Sequence, residues 1–279
     1  MSTPRSRLRE LLASDETLIV PGAYDALSAR LIEAAGFDAL YIGSYATAAS
    51  RLGLPDVGVL SLDELVAQAK TVVDAVQLPV IADAENGFHD AANIWRTVRA
   101  FEGAGVSAIH IEDHAFGKHA DVPQRVLPLE QILARLRAAL EARSDPDFVI
   151  IARTDVAWAL GDVDEAIRRA NAFTDIGADL VFFSGFSASQ LAQHRSRIKG
   201  RVVLVDTRGA STAEERAAGA AMVLSYGNTL FAAYRGVQAM LAGLRSTGKA
   251  VDASGDAAEF ERFIGYAEFA ERAKRYGEA

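Results

Sequence analysis

One pattern recurs along the chain: a helix end closed by glycine runs directly into an apolar strand. Glycine suits this position because it adopts the left-handed conformation that ends many helices. The pattern occurs at residues 33–42, 103–111, 175–183 and 217–224. Apolar strands with a different entry lie at residues 18–20, 78–82, 147–151 and 201–205. The sequence therefore predicts eight strands, each followed by a helical pattern.

Eight strand–helix units predict an α/β protein with a closed (β/α)₈ barrel, the TIM barrel. An open, doubly wound sheet is the alternative that the same pattern allows. The chain has 279 residues, and barrels of roughly 250 residues form single domains. No linker divides the sequence, so we expect one domain over residues 1–279, with residues 229–279 forming a C-terminal helical region.

Composition narrows the class of partner. The net charge of −8 and the isoelectric point near 5.2 argue against nucleic acid and anionic membranes. The chain has no cysteine, which excludes disulfides, thiolate metal sites and cysteine nucleophiles. The N-terminal residues are charged and no apolar run reaches the roughly 20 residues of a membrane span. We expect a cytoplasmic protein.

The apolar strand predicted at residues 79–85, PVIADAE, ends in two carboxylates, Asp83 and Glu85. In an extended chain these two side chains point to the same side, where their charges repel. A divalent cation would relieve that repulsion, and Glu112 and Asp56 could complete its shell. Carboxylate oxygens suit Mg²⁺ or Mn²⁺ better than zinc. A lone D-x-E pair could equally be a helix N-cap or a surface charge. The prediction of a metal site therefore rests on both apolar strands that end in acidic residues.

Barrel enzymes carry their chemistry at the carboxyl ends of the strands. Reading those ends gives residues 43–45, Asp83, Glu85, Glu112, Asp113, Arg153, Ser184, Asp206 and residues 226–228. The loops at residues 45–61 and 114–128 are long, and long loops often cover active sites. The second contains Lys118, His119 and Arg125, which would form a cationic cover for an anionic substrate.

Two conspicuous residues are interpreted as structural. His110 alternates with isoleucines inside the fourth strand, so we expect a hydrogen-bonded histidine that faces either the barrel interior or the helices, rather than a metal ligand. Trp158 is expected to be a packing residue.

Five motifs together resemble the isocitrate lyase/phosphoenolpyruvate mutase superfamily over nearly the whole chain. They are Gly43-Ser44-Tyr45, ASRLGLPD at residues 49–56, DAENGF at 83–88, IED at 111–113 and ARTD at 152–155. The resemblance implies a barrel that exchanges its last helix between subunits and acts on small 2-oxo or 2-hydroxy acids with Mg²⁺.

The resemblance also implies roles for individual residues. Asp83, Glu85, Glu112 and Asp56 would hold the metal. Candidate substrate-binding residues are Gly43, Ser44, Tyr45, Asp83, Arg153 and Asn228, and candidate catalytic residues are Lys118, Arg153, His119 and Tyr45.

The departures from the superfamily bear on the reaction. Members that cleave isocitrate or methylisocitrate carry K-[KR]-C-G-H in the second loop, whose cysteine donates a proton, and here that position is Ala120. Glu85 is one methylene longer than the usual aspartate, and Asn228-Thr229 stands where phosphonate members have Asn-His.

The sequence therefore favours a Mg²⁺-dependent carbon–carbon lyase acting on a small dicarboxylic acid through a stabilised enolate, with oxaloacetate decarboxylation as the sharpest example. Phosphonopyruvate hydrolase or phosphoenolpyruvate mutase chemistry, methylisocitrate cleavage without the cysteine, and a non-catalytic acid-binding barrel remain alternatives.

The C-terminal region carries an apolar stripe at helical spacing, formed by Phe260, Phe263, Ile264, Ala267 and Ala270. Such a stripe on an isolated barrel predicts an interface. With the superfamily resemblance, it predicts a homodimer or homotetramer formed by helix exchange.

Overall fold

The computed structural model describes residues 3–115, 123–206, 211–249 and 255–277. Its eight parallel strands close into a barrel in sequence order, with β8 paired to β1. The predicted (β/α)₈ barrel is confirmed, and closure excludes the open sheet. The strands are β1 (Leu18–Ala23), β2 (Leu40–Ile42), β3 (Val80–Asp83), β4 (Ala108–Glu112), β5 (Val149–Thr154), β6 (Leu180–Phe183), β7 (Val202–Val205) and β8 (Ala220–Ser225).

A helix follows each strand of the barrel. Several begin with a capping box, in which the N-cap serine or aspartate and the residue three positions later satisfy each other's backbone groups. The helices are α1 (Pro4–Ala13), α2 (Ala26–Ala34), α3 (Ser44–Thr47), α4 (Leu62–Val73), α5 (Trp95–Ala104), α6 (Leu129–Ala142), α7 (Val156–Leu160), α8 (Val163–Asp175), α9 (Ala188–His194), α10 (Thr212–Ala217), α11 (Asn228–Thr247), α12 (Ala257–Ile264) and α13 (Tyr266–Tyr276).

Strand alternation divides the buried residues into two cores. In β4, Ile109 and Ile111 belong to the core between strands and helices. The intervening His110 contacts Tyr41 and Phe182, which belong to the core inside the barrel. The barrel interior is therefore filled by side chains, as expected for eight strands.

Helix α1 is fastened to the barrel ahead of β5. Its Leu8 and Leu12 are buried in the interior core. Arg9 donates to the carbonyls of Pro146, Asp147 and Phe148 and pairs with Asp179 at 2.6 Å. These contacts are distant from the carboxyl ends of the strands, so α1 serves the fold rather than the mouth of the barrel.

The chain divides into two compact units, Met1–Leu230 and Phe231–Ala279. The second unit contains most of α11 together with α12 and α13, which meet at Gly265 in the left-handed conformation. Phe260, Tyr266 and Phe269 are exposed. In the described part of the chain, no helix combines the length and the apolar character that crossing a bilayer requires.

Candidate active site

A cavity of about 420 Å³ opens at the carboxyl ends of the strands. Its polar lining includes Tyr41, Tyr45, Asp56, Asp83, Arg153, Ser184, Asp206 and Tyr226. Five apolar lining residues form what we call the apolar wall: Trp158, Phe182, Phe186, Val205 and Leu224. Of the described residues lining this cavity, Arg153 alone is cationic.

The end of β3 differs from the geometry expected from its sequence. The strand stops at Asp83, and Glu85 has a φ of 51°, in the left-handed region. The backbone N–H of Glu85 donates to Asp83 Oδ1 at 2.8 Å, so the aspartate closes a turn. The assumption that the two carboxylates share one side of an extended strand is therefore wrong. The metal role of Glu85, a buried residue, stays a prediction.

Asp83 is held from the β2 side by the turn that begins α3. Ser44 donates to Asp83 Oδ2 through its hydroxyl at 2.9 Å and through its backbone N–H at 3.3 Å. Gly43, before it, leaves room for the Tyr41 ring, since a Cβ there would lie 2.6 Å from the Tyr41 hydroxyl. Gly43 and Ser44 thus fix the position of Asp83.

A buried cluster of three side chains could hold a metal ion. Ligand atoms of Asp83, His110 and Glu112 lie within 4.8 Å of one another. Strand register brings the first two together, since Asp83 is the partner of His110 in the β3–β4 pair. His110 Nε2 also lies 3.0 Å from the Tyr41 hydroxyl. His110 is therefore a hydrogen-bonded residue as expected, and of the two positions considered it takes the interior one. It also lies within the metal-capable cluster, whereas the sequence favoured a structural role over a metal ligand.

Arg153, on β5, lies in an excess of negative charge. Its Nε and Nη2 donate to the two oxygens of Asp155 at 2.6 and 3.1 Å, and its Nη1 lies 3.1 Å from Glu112 Oε2. Burial alone would lower the pKa of Arg153, but Asp155, Glu112 and Asp83 outweigh it and hold that pKa well above its ordinary value. Three carboxylates around one guanidinium leave a net negative charge that a divalent cation would neutralise. The donor set therefore fits such an ion, although His110 would add a nitrogen ligand to the all-oxygen set predicted.

Behind Arg153, a second group of buried polar residues holds Asp155. His114 Nδ1 lies 3.0 Å from Asp155 Oδ2. The backbone N–H of Asp155 donates to Asp113 Oδ1 at 2.8 Å, and Arg169 pairs with Asp113 Oδ2 at 3.0 Å. Burial, mainly, raises the pKa of Asp113. The orientation of Arg153 is thus set by neighbours that do not line the cavity.

The wall formed by the ends of β7 and β8 carries one further carboxylate. Asp206 follows β7, and its Oδ2 accepts hydrogen bonds from Asn228 Nδ2 at 2.9 Å and from Ser225 Oγ at 3.2 Å. The rings of Tyr226 and Tyr45 meet edge to face, 5.5 Å apart. Asn228 thus supports Asp206, which lines the cavity, rather than being itself a lining residue.

The structure brings most of the predicted site residues to one cavity. Gly43, Tyr45, Asp56, Asp83 and Arg153 line it. Glu112 lies beside Arg153, and Ser44 beside Asp83. The predicted catalytic residues Lys118 and His119, and Ala120 with them, lie outside the described residues.

Sequence reasoning missed other residues of the site. Asp155 was passed over although it ends the ARTD motif, and it is the main partner of Arg153. Trp158 lines the cavity, so the expectation of a purely packing residue is wrong. The turn at Glu85 had a signal in the Asn86-Gly87 pair that follows it, since this dipeptide marks tight turns.

Comparison with known proteins agrees with this geometry. The family model described as phosphoenolpyruvate phosphomutase matches residues 8–245. The chain belongs to this family. A relative matched over nearly the whole chain is the 2-methylisocitrate lyase of Shewanella oneidensis, 33% identical over 95% of this chain and 94% of that protein. The 2,3-dimethylmalate lyase of Eubacterium barkeri is 43% identical, but the match spans 63% of this chain and only 62% of that lyase.

Solved structures of the same superfamily resemble the chain throughout. Oxaloacetate acetylhydrolase in complex with 3,3-difluorooxalacetate has a TM-score of 0.91 at 30% identity and covers 99% of this chain and 98% of its own. Phosphonopyruvate hydrolase in complex with oxalate and Mg²⁺ has a TM-score of 0.89 at 29% identity, with 99% of both chains covered. The predicted membership of the isocitrate lyase/PEP mutase superfamily, a superfamily of enzymes, is confirmed.

Proposed function

We propose that this protein is a Mg²⁺- or Mn²⁺-dependent lyase that breaks a carbon–carbon bond in a small 2-oxo or 2-hydroxy dicarboxylic acid by way of an enolate. Oxaloacetate decarboxylation is the reaction that the cavity supports best. The observation that carries the proposal is the polarity of the cavity. The charged side is formed at the ends of β3 to β5 by Asp83, Glu112 and Arg153. Across the closed barrel, Val205, Asp206 and Leu224 lie at the ends of β7 and β8, and Phe182 of the apolar wall, on the intervening β6, contacts Arg153.

The charged side would bind the carboxylate and the 2-oxygen of the substrate. A divalent cation held by Asp83 and Glu112, with His110, Glu85 or Asp56 contributing, would withdraw electrons from that oxygen. Arg153 would donate to the same oxygen as its negative charge grows. Its fixed orientation matters here, because a preorganised donor stabilises developing charge without reorganising first.

The apolar side would act on the second carboxylate. Burying an ionised carboxylate without a partner is costly. At this wall the group would face Phe186 and Leu224 rather than a described cation. Loss of carbon dioxide removes that charge, so the surroundings favour the product over the bound dicarboxylate.

The charges of the cavity weigh against one of the alternatives. A non-catalytic barrel has no need of a fixed arginine surrounded by three carboxylates.

A second candidate is cleavage of a branched 2-hydroxy diacid. Its support is the apolar wall, which would contact alkyl branches, together with the 43% identity to a 2,3-dimethylmalate lyase. Lys118, His119 and Tyr45 are proposed to complete either active site, with Ser44 and Asn228 in the supporting positions described above.

The experiment is a substrate panel analysed by product mass, with and without Mg²⁺. It contains oxaloacetate, 2,3-dimethylmalate, 2-methylisocitrate, isocitrate and phosphonopyruvate. We expect pyruvate and carbon dioxide from oxaloacetate above the metal-only background. Arg153→Lys should lose this activity, because lysine cannot reproduce the paired contacts to Asp155. The matched control is Arg143→Lys, a change in an arginine that pairs with Asp179 and does not line the cavity. Phosphonopyruvate cleavage without oxaloacetate turnover would refute the proposal.

A further inference from the structure

Resting on the proposed lyase function, we propose that Asp206 is the acid that protonates the substrate-derived enolate at carbon 3. The chain has no cysteine to supply this proton. The donor must therefore be another group that reaches the cavity on the side away from the bound oxygens.

Barrel topology puts Asp206 on that side. The strands close in the order β1 to β8, so β7 is four strands away from β3 in either direction. Asp83 ends β3 and Asp206 follows β7, and both line the cavity. A substrate whose carboxylate and 2-oxygen lie at Asp83 and Arg153 therefore directs its carbon 3 towards Asp206.

Asp206 is also held in a fixed orientation. Its Oδ2 accepts from Asn228 and Ser225, and those two side chains are joined by a hydrogen bond of 2.6 Å. Within the described ranges, no group donates to the other oxygen, Oδ1. One oxygen is thus anchored while the other remains available to carry a proton.

Among the described residues, the other proton carriers on this side are less suitable. Ser184 and Tyr226 line the same part of the cavity. A serine hydroxyl is a very weak acid, and a tyrosine, with an ordinary pKa of about 10, is a weaker acid than a carboxyl group. Asp206 is the carboxyl group among the described lining residues on this side.

The proposed proton transfer between Asp206 and carbon 3 can run in both directions. In the forward direction the C2–C3 electron pair of the enolate takes the proton of Asp206, a C3–H bond forms, the O–H bond breaks, and the C2–oxygen bond becomes a carbonyl. Asp206 is left as a carboxylate and regains a proton from water. In reverse, the carboxylate removes a proton from the methyl group of pyruvate.

The reverse step provides a test that needs no carbon–carbon cleavage. Pyruvate is incubated with the Mg²⁺-loaded protein in D₂O, and loss of the methyl proton signal is followed by NMR. We expect the wild-type protein to catalyse exchange and Asp206→Asn to slow it by about 100-fold or more, the usual contribution of an acid–base group. The variant should still bind oxalate with wild-type affinity, measured by calorimetry, and should release enolpyruvate from oxaloacetate.

Two control variants test the neighbouring groups. Tyr226→Phe removes the competing hydroxyl. Glu215→Gln removes a buried carboxyl group that does not line the cavity, although it is close enough to Asp206 for the charge of Asp206 to raise the pKa of Glu215. Glu215→Gln should keep exchange within a few-fold of wild type, and Tyr226→Phe should lose less exchange than Asp206→Asn. Loss of exchange in either variant, with Asp206→Asn still active, would reassign the role.

The outcomes separate this inference from the proposed function. Wild-type exchange rates in Asp206→Asn, or a wild-type protein that decarboxylates oxaloacetate but releases enolpyruvate, would overturn the role of Asp206 and leave the lyase intact. A wild-type protein that neither binds oxalate nor decarboxylates oxaloacetate would refute the proposed function, and this inference with it.

Discussion

Replacing Asp155 by asparagine tests whether this residue orients Arg153. The substitution keeps the shape of the side chain but removes its charge. In the structure, Asp155 accepts from Arg153 Nε at 2.6 Å, from Arg153 Nη2 at 3.1 Å, and lies 3.0 Å from His114 Nδ1. Asparagine has one acceptor oxygen, so it cannot satisfy all of these groups.

The size of the effect follows from what remains around Arg153. Breaking a buried ion pair costs about 3–5 kcal/mol. Arg153 would keep Glu112, at 3.1 Å, and Asp113 would lose the neighbouring charge that helps to raise its pKa. Both effects reduce the loss, so we expect a decrease of about 3 kcal/mol in the free energy of unfolding, at the low end of that range.

Urea denaturation and oxalate binding measure the two consequences. With an m-value of about 3 kcal/mol per molar urea, the midpoint should fall by about 1 M. Oxalate affinity in Mg²⁺ should fall as well, because the guanidinium loses its orientation. The control is Asp38→Asn, which removes an exposed pair with Arg7 and should cost about 1 kcal/mol or less. An Asp155→Asn protein with wild-type stability and wild-type oxalate affinity would refute the argument.

The remaining predictions concern metal, substrate, pH and assembly. EDTA should abolish oxaloacetate decarboxylation, Mg²⁺ or Mn²⁺ should restore it, and Asp83→Ala should not be rescued; full turnover in chelator would exclude a metal role. Isocitrate and 2-methylisocitrate should yield no glyoxylate or pyruvate by mass spectrometry, whereas robust release would restore the tricarboxylate alternative. Burial is the main cause that raises the pKa of Glu215, and the charges of Asp206 and Glu214 raise it further. The contribution of protonated Glu215 to stability is therefore lost as pH rises above the ordinary glutamate range. Glu215→Gln should therefore gain stability relative to wild type between pH 4 and pH 7 in urea titrations, and a constant difference would contradict this. Sedimentation should show a dimer or tetramer that Phe263→Glu dissociates, and a single species near the 29.8 kDa of one chain would exclude helix exchange.

The barrel could be predicted because its signals are local. Each strand is a short apolar run, and a glycine such as Gly105, with a φ of 88°, marks the end of the preceding helix. Parallel strands joined by helices then leave few topologies. These features depend on neighbours in the sequence, so the sequence alone was sufficient to predict the barrel.

The site was harder to predict because it depends on register between strands. The pairing of Asp83 with His110, and of Glu112 with Arg153, brings these side chains together, and no short sequence window contains that information. Alternation within β4 does place His110 inside the barrel, but only the register puts it level with Asp83. The backbone at Glu85 adds a second reason, because its positive φ ends the alternation on which the D-x-E argument relied.

The polarity of the cavity connects the proposed reaction with the proposed acid. Decarboxylation moves negative charge from the departing carboxylate to the oxygen on carbon 2. The charged side, with Arg153, would stabilise the charge where it arrives, and the apolar wall would disfavour it where it starts. Once the charge has moved, the electron-rich carbon 3 would face Asp206, the proposed proton donor. Cleavage of a 2-hydroxy diacid generates a carbanion with the same demand. The arrangement of the cavity thus supports reactions that pass through an enolate.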